Sequence, residues 1–487
     1  MAKNEKNIKT KVIGGMAWIF GERIMGQMVS MLVTIILARL LAPESYGTIS
    51  IVLVCINLLD VFVTSSFGSA LVQKQEADAL DFDTTFVLSF SLSVVLYILL
   101  FFVAPLIAAF YEIPELTPIL RVMGLRLPLA SINNTQNAYI QRRMNFKRSF
   151  LAHVFSTIGS GIAGIVMAYC GFGVWALVTQ NLTNMLAVTV MLTVMSEWKP
   201  KLRFAFQRAK TIWNFGSKVL LTQMVVTLND DVRSLIVGKV FGTADLAYYD
   251  QGKKYPSFIM VNISSTIDRV MLPAYSQVQE DRERILAMLR RSIRVGIFVL
   301  APVLLGFCMV SESFVKVLLT EKWMACVPFM QVFCLSYLTR PLESSSRQAL
   351  LAIGKSGAVL WAIVAINVTA LLGVLVSVFV FESVFAIALS SLLTTMVSLV
   401  CFLSLSNKFF GYTLKMQLQD SMPTILVGLI MCLVVGLMGL LPIPAIVTLV
   451  LQVLVGMAVY VACSAVLKLE PFTYLLGMLK DMRKNKK

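Results

Sequence analysis

Apolar runs of about 20 residues or more recur along the chain, each closed by a short polar interval, and such a run matches a helix crossing a hydrocarbon core about 30 Å thick. The pattern predicts spans near 12–40, 46–72, 84–110, 116–140, 149–170, 173–196, 211–241, 244–275, 288–311, 324–352, 357–381, 383–406, 421–441 and 443–467, about 14 in all. Pro43-Glu44-Ser45-Tyr46-Gly47 reads as a tight turn between the first two spans, and Gly171-Phe172-Gly173 as the whole link between the fifth and sixth. The third span reads as bland and lipid-facing, and the last two carry almost no charge. The fold class that follows is an all-α polytopic membrane protein.

The polar intervals orient these spans. Linkers after even-numbered spans are basic, as at 141–148 and 197–210, whereas those after odd-numbered spans are short turns such as Leu441-Pro442-Ile443-Pro444. The positive-inside rule then places both termini and the 277–287 loop in the cytoplasm. The chain also repeats itself. Trp18-Ile19-Phe20-Gly21 returns as Trp213-Asn214-Phe215-Gly216, and Ala38-Arg39-Leu40-Leu41-Ala42 is echoed by Gly238-Lys239-Val240-Phe241-Gly242. In the fourth spans of the two copies, Arg126-Leu127-Pro128-Leu129 is matched by Arg340-Pro341-Leu342. The expected domains are a six-helix lobe with tail and linker at 1–210, a second six-helix lobe at 211–406, and two additional helices with a basic tail at 407–487. Each half starts from the same side of the membrane, so the two are parallel pseudo-repeats enclosing a central cavity.

Composition narrows the chemistry. With 58% hydrophobic and 14% charged residues, the chain has too few polar side chains to clothe a soluble domain. The net charge of +16 resides largely in loops that orient helices, and no nucleic-acid motif accompanies it. The eight cysteines show no C-x-x-C spacing and read as inert core thiols, and no cleavable leader is evident at the N-terminus. Phosphate-loop, H-E-x-x-H and G-x-S-x-G patterns are missing, and His153 is the sole histidine. Asp230-Asp231 has no soluble domain around it to serve a glycosyltransferase. The expectation is a protein that is not an enzyme and needs neither cofactor nor metal.

Charged residues inside the spans are the informative signal, because each would cost roughly 2.5–3.5 kcal/mol facing lipid at mid-helix. Mutual neutralisation is one reading: Asp230 or Asp231 with Arg233, Asp250 with Lys253 or Lys254, and Glu343 with Arg340 or Arg347. The other is a positive lumen for an anionic substrate, formed by cations without partners: Arg23, Arg126, Lys218, Lys254, Arg340 and Arg347, with Arg233 a further candidate contact. Arginine suits phosphate because its planar guanidinium binds it bidentately. Asp60, Asp230, Asp231 and Asp268 are the candidate ion-coupling carboxylates, with Asp250 behind them.

The stretch Ala38-Arg39-Leu40-Leu41-Ala42-Pro43-Glu44-Ser45-Tyr46-Gly47 resembles the A-R-x-L-x-P-x-x-Y-G signature of the polysaccharide transporter family, within the multidrug/oligosaccharidyl-lipid/polysaccharide exporter superfamily. Phe67-Gly68-Ser69-Ala70-Leu71-Val72-Gln73-Lys74 and Gln136-Asn137-Ala138-Tyr139-Ile140-Gln141-Arg142-Arg143-Met144-Asn145-Phe146 are similar to it as well. The resemblance implies a flippase in the bacterial inner membrane that moves undecaprenyl-diphosphate-linked oligosaccharides for surface polysaccharide synthesis by alternating access. It implies the lipid-linked oligosaccharide and the bilayer as partners, with polysaccharide polymerase and glycosyltransferase machinery as further candidates. The alternatives are a peptidoglycan-precursor flippase, a small-molecule antiporter of the same superfamily and, from the enzymes, a polysaccharide polymerase or ligase.

Overall fold

The computed structural model describes residues 25–64, 67, 71, 77–143, 146–439 and 441–484, and among them every regular element is a helix. Nine of these helices are long and apolar enough to cross a membrane, and Met25–Leu40 is a shorter apolar one. The protein is a multi-pass membrane protein. It forms two compact units, Met1–Ala247 and Tyr248–Lys487.

In the first unit, α1 (Met25–Leu40) is followed after two residues by α2 (Pro43–Thr64). The expected tight turn at Pro43–Gly47 is therefore the opening of α2 instead. Proline is pre-set for the first helical position, where its missing N–H is not needed, and Glu44 suits the positive end of the helix. The signature residues hold this corner together. Tyr46 donates its hydroxyl to the Thr34 carbonyl at 3.4 Å, and Gly47 lies so close to the Thr243 backbone that a Cβ would sit 1.8 Å from its oxygen. Thr243 itself opens α9 (Thr243–Ser276), two residues beyond the end of α8 (Phe206–Val240). The corner at 40–43 is thus repeated at 240–243, in step with the sequence echo between 38–42 and 238–242.

The third helix, α3 (Ala79–Tyr111), starts earlier than expected and its start is not bland. Asp78 and Asp81 form a capping box, and Asp81 and Asp83 are each 1% exposed. Only its later part turns Phe102, Leu106 and Phe110 outward, where lipid would lie. The fourth span is two helices, α4 (Leu116–Gly124) and α5 (Arg126–Arg142). A hairpin of α6 (Phe146–Tyr169) and α7 (Val174–Met195) completes the run to α8, turning through Gly171 and Gly173, both at positive φ.

In the second unit, α10 (Arg282–Phe314) precedes α11 (Val327–Tyr337) and α12 (Arg340–Ala352), the two pieces of the other proline-containing span. Each break lies four residues ahead of a proline, whose missing N–H leaves the carbonyl there without its helical partner: α4 ends at Gly124, four before Pro128, and α11 ends at Tyr337, four before Pro341. Pro105, Pro256, Pro273, Pro302 and Pro423 stand inside helices that continue past them. A three-residue hydrogen bond closes each gap, Leu125 N to Val122 O at 3.2 Å and Leu338 N to Leu335 O at 3.3 Å. The breaks leave Arg126 and Arg340 as first residues of the following half-helices.

Four longer elements finish the chain: α13 (Ser356–Phe379), α14 (Val384–Phe410), α15 (Leu414–Gly439) and α16 (Ala445–Val466). The core of this unit is centred on α10, whose Ile293, Ile297, Ala301 and Leu305 pack with Leu342, Phe402, Val427 and Met431. The basic tail expected after the last span begins as a further helix, α17 (Glu470–Lys484), docked through Phe472 against Phe298.

Candidate functional site

Each unit places a carboxylate of one helix against an arginine of a proline-broken span. In the first, Asp60 of α2 faces Arg126 at the head of α5, Oδ2 to Nε 3.4 Å, with the side chains 13% and 25% exposed. That contact is an ion pair without a formed hydrogen bond. Asp60 Oδ1 and Arg126 Nε are both buried with no hydrogen-bond partner among the described residues. Below the arginine, α5 continues as a polar helix. Asn134 donates to the Val63 carbonyl at 3.3 Å, Gln136 to Thr193 Oγ1 at 2.7 Å, and Asn133 to the Met185 sulfur at 3.3 Å. These bonds tie α5 to α2 and α7.

The second unit repeats the scheme with more partners. Arg340, Glu343, Ser344 and Arg347 share one face of α12 by their spacing. Arg340 Nη1 donates to Glu343 Oε1 at 2.7 Å, and Glu343 Oε2 accepts from Ser398 of α14 at 3.0 Å. From α9, Asp268 accepts hydrogen bonds from Ser344 and from Arg347 Nη2, the latter at 3.3 Å. Ser345 meets Ser292 of α10 at 2.9 Å. A partly buried layer of hydroxyls, carboxylates and guanidiniums thus runs through four helices. Such a layer is retained in a bilayer only where it is satisfied internally or lines a wet space.

The family model described as polysaccharide biosynthesis protein matches residues 36–328 of this chain. The chain belongs to that family. It is 26% identical over 301 residues to the succinoglycan biosynthesis transport protein ExoT of Rhizobium meliloti (strain 1021), covering 62% of this chain and 61% of that protein. It is 21% identical over 352 residues to the lipopolysaccharide biosynthesis protein WzxC of Escherichia coli (strain K12), covering 71% of each. The teichuronic acid biosynthesis protein TuaB of Bacillus subtilis (strain 168) is 24% identical over 301 residues, or 61% of this chain and 62% of that one. The matched part thus spans about three fifths of the succinoglycan and teichuronic acid proteins. Among solved structures, the lipid II flippase MurJ in an inward closed conformation aligns with a TM-score of 0.73 at 16% identity, over 93% of this chain and 98% of that one. An inward-facing multidrug resistance MATE transporter aligns with a TM-score of 0.62 at 16% identity, over 80% and 98%. Those likenesses fix the fold as that of the superfamily's transporters.

In this family member, the expectation of cations without partners needs correction at four positions, Arg126, Lys254, Arg340 and Arg347. Arg126, Arg340 and Arg347 each face a carboxylate, because a guanidinium inside an apolar bundle recruits the nearest counter-charge. Asp60 and Asp268, expected as coupling groups, are two of those partners. Asp231 and Arg233 are half-buried on α8 and both are engaged, as are Asp250, Lys253 and Lys254 on α9, with Lys254 at an accessible position. Arg23 lies outside the described residues, as do the side chains of Lys218 and Asp230. The eight cysteines are all free thiols, and Cys170 stands exposed in the α6–α7 turn rather than in a core.

Two clusters escape a reading by spans. Asp420, near the start of α15 and 4% exposed at its side chain, accepts Arg290 Nε and Nη2 at 2.8 Å each and the Tyr412 hydroxyl at 2.8 Å. Arg294 approaches it at 3.5 Å and also pairs with Glu470 of α17. The signal in the sequence is a lone aspartate immediately before the span expected at 421–441. The second cluster binds the 196–205 linker to the start of α3: Trp198 Nε1 donates to Asp83 at 3.0 Å, the Ala205 amide to Thr84 at 3.3 Å, and Arg208 pairs with Asp78 and with Asp81, the latter at 3.1 Å. The alternating acids of Asp78-Ala79-Leu80-Asp81-Phe82-Asp83 set against a basic linker are its sequence signal.

Proposed function

We propose that the protein is a flippase that carries undecaprenyl-diphosphate-linked oligosaccharides across the bacterial inner membrane, for assembly of a surface polysaccharide. Membership of the polysaccharide biosynthesis family supports this, and the substrate rests on the resemblance of residues 38–47 to the transporter signature. The observation that carries the reading is the arginine–carboxylate layer within apolar helices, Arg126 with Asp60 and Arg347 with Asp268. Such pairs keep a guanidinium charged and positioned in the membrane until a diphosphate competes for it. A drug-exporting antiporter would need acidic or aromatic groups in their place. The topology that goes with this reading has about 14 spans, six-helix lobes at 1–210 and 211–406, two accessory spans in 407–487, and both termini in the cytoplasm. Arg23, Arg126, Lys218, Arg233, Lys254, Arg340 and Arg347 are the proposed substrate contacts, and Asp60, Asp230, Asp231 and Asp268 the proposed coupling groups. Polymerase and glycosyltransferase machinery supply and consume the substrate on this scheme.

The test is reconstitution. Proteoliposomes with a lipid-linked oligosaccharide in one leaflet should show protein-dependent exposure of its sugar in the other, lost in an Arg126→Ala/Arg347→Ala double variant that still inserts. Flipping of peptidoglycan precursor in preference to the oligosaccharide, or efflux of cationic dyes without either, would overturn the assignment.

A further inference from the structure

Where the ends of α3, α5 and α7 meet the 196–205 linker, the first unit holds an open recess of about 530 Å³. That volume falls within the usual range of about 300–1,000 Å³ for small-ligand sites. Arg142 and Arg143 line it from the end of α5, and Lys199, Lys201 and Arg203 from the linker. The linker has no regular structure here, and its cations recur at every second residue. The floor is rigid. Arg142 Nη1 is fixed on the Leu71 carbonyl at 2.7 Å, Arg143 lies over the Tyr139 ring and pairs with Glu197 at 2.8 Å, and Trp198 is locked onto Asp83. Arg148 also reaches Glu197, at 3.4 Å, so that carboxylate is already shared between two guanidiniums. The rim is the reverse: Lys201 and Arg203 are exposed and have no carboxylate partner among the described residues.

Asp78, Asp83 and Glu197 line the recess as well, with Asp78 paired to Arg208 and Glu197 to Arg143, so the five cations outnumber the carboxylates and form an array for a multiply charged anion. Several guanidinium and ammonium groups converging on one recess fit a diphosphate better than a single carboxylate. The basic loops that build it are those expected on the cytoplasmic face, where a lipid-linked substrate is loaded. We propose that this recess docks the diphosphate group of the lipid-linked substrate at the cytoplasmic leaflet before translocation. The proposal rests on the flippase reading for its substrate, and on the recess alone for its diphosphate chemistry.

The experiment uses the full chain in detergent and in proteoliposomes. Inorganic pyrophosphate titrated against the purified protein should bind saturably, with affinity falling as salt rises. The exposed double variant Lys201→Ala/Arg203→Ala should bind it at least tenfold more weakly, and Lys201→Arg/Arg203→Lys should restore most of the loss. In flipping assays the alanine variant should raise the half-saturating substrate concentration and keep the maximal rate. Equal pyrophosphate affinity in wild type and alanine variant overturns the proposal. So does lost binding with an unchanged half-saturating concentration, or displacement of pyrophosphate by phosphatidylglycerol vesicles as effective as displacement by the substrate. If wild-type protein flips no oligosaccharide lipid, the flippase reading falls with the substrate assignment. Pyrophosphate binding lost in the variant would then still support a diphosphate site, and binding retained would still remove it.

Discussion

Arg126 and Asp60 meet across two helices of the first unit with Nε 3.4 Å from Oδ2, and neither Arg126 Nε nor Asp60 Oδ1 has a hydrogen bond among the described residues. The pair is close enough to neutralise charge and too loosely made to be fully satisfied. On the proposed function, an incoming diphosphate would recruit the arginine without first breaking a bidentate bond. The matching contact in the second unit, Arg347 to Asp268 at 3.3 Å, is similarly loose, with Arg347 Nε unpartnered among the described residues.

Removing one member leaves the other as an uncompensated charge. Arg126→Ala should lower thermal stability by about 1–3 kcal/mol, less than the 3–5 kcal/mol of a fully buried pair because these side chains keep some exposure. Asp60→Asn combined with Arg126→Gln should cost less than the sum of the singles. Thermal unfolding in detergent measures both; strict additivity would show that the two side chains do not interact.

Transport should separate the roles of the second unit's arginines. Arg340 is already satisfied by Glu343 at 2.7 Å, whereas Arg347 is held at 3.3 Å. Each charge-assisted contact with a diphosphate is worth about 1.5–3 kcal/mol, so Arg347→Ala should reduce flipping at low substrate by about tenfold or more. Arg340→Ala should act more through stability. Rates at sub-saturating substrate, with unfolding midpoints alongside, distinguish them, and Arg347→Lys should recover only part of the loss.

Backbone proximity dictates a third outcome. A methyl on Gly47 would lie 1.8 Å from the Thr243 oxygen, so Gly47→Ala must push α2 and α9 apart. At Gly238 the nearest atoms are side-chain carbons of Leu246 and Ile51 at 3.0 and 3.2 Å, which can rotate away. Gly47→Ala should sharply reduce folded yield while Gly238→Ala is tolerated, as size-exclusion profiles would reveal.

Asp420 anchors α10, α15 and α17 through Arg290, Arg294 and, by way of Arg294, Glu470. Asp420→Ala strands the Arg290 guanidinium beside a buried hydroxyl, while Arg294 keeps Glu470. A loss of about 1–3 kcal/mol is expected, below that of a fully buried pair because Arg290 keeps some exposure, together with faster proteolysis after residue 410. Flipping by any surviving folded protein should change little, since the cluster belongs to a different polar group from the α12 face.

The Arg208 guanidinium and the Asp81 amide hold the Asp78 carboxyl below the usual carboxylate range. Its folded pKa is depressed, so its contribution is present above the ordinary value of about 3.9 and disappears as pH falls through the lowered one. A nitroxide placed at Leu202→Cys, in a background without the native cysteines, should stay restricted at neutral and mildly acidic pH and gain mobility only below that range. Asp78→Asn should loosen it at pH 7.

Much of this architecture is legible in the chain. Among the described residues hydropathy places the long helices to within about two turns, while the start of the first expected span and the end of the second lie outside those residues, and the 38–42 echo at 238–242 marks two corners that the structure builds alike. The prolines at 128 and 341 are visible too, but that they cut their spans four residues upstream requires knowing where the carbonyls lie. Ion pairing is harder to read, because Asp60 finds Arg126 and Asp268 finds Arg347 across 66 and 79 residues of chain, distances set by helix packing. Asp420 is hidden for a related reason: one acid at the edge of an apolar run looks like loop until Arg290 and Tyr412 are seen to enclose it.

The attachment of the linker to the start of α3 has a mechanical meaning. Held at Trp198, Ala205 and Arg208, the ten or so residues between α7 and α8 have no slack left to give. A displacement of α3 would reach the head of α8 through these contacts, as through a strut, whereas a free chain of the same length would absorb it by recoil. The seventh span is thereby yoked at one end to the third, and cutting one staple, Trp198→Phe for example, would turn the strut back into a string.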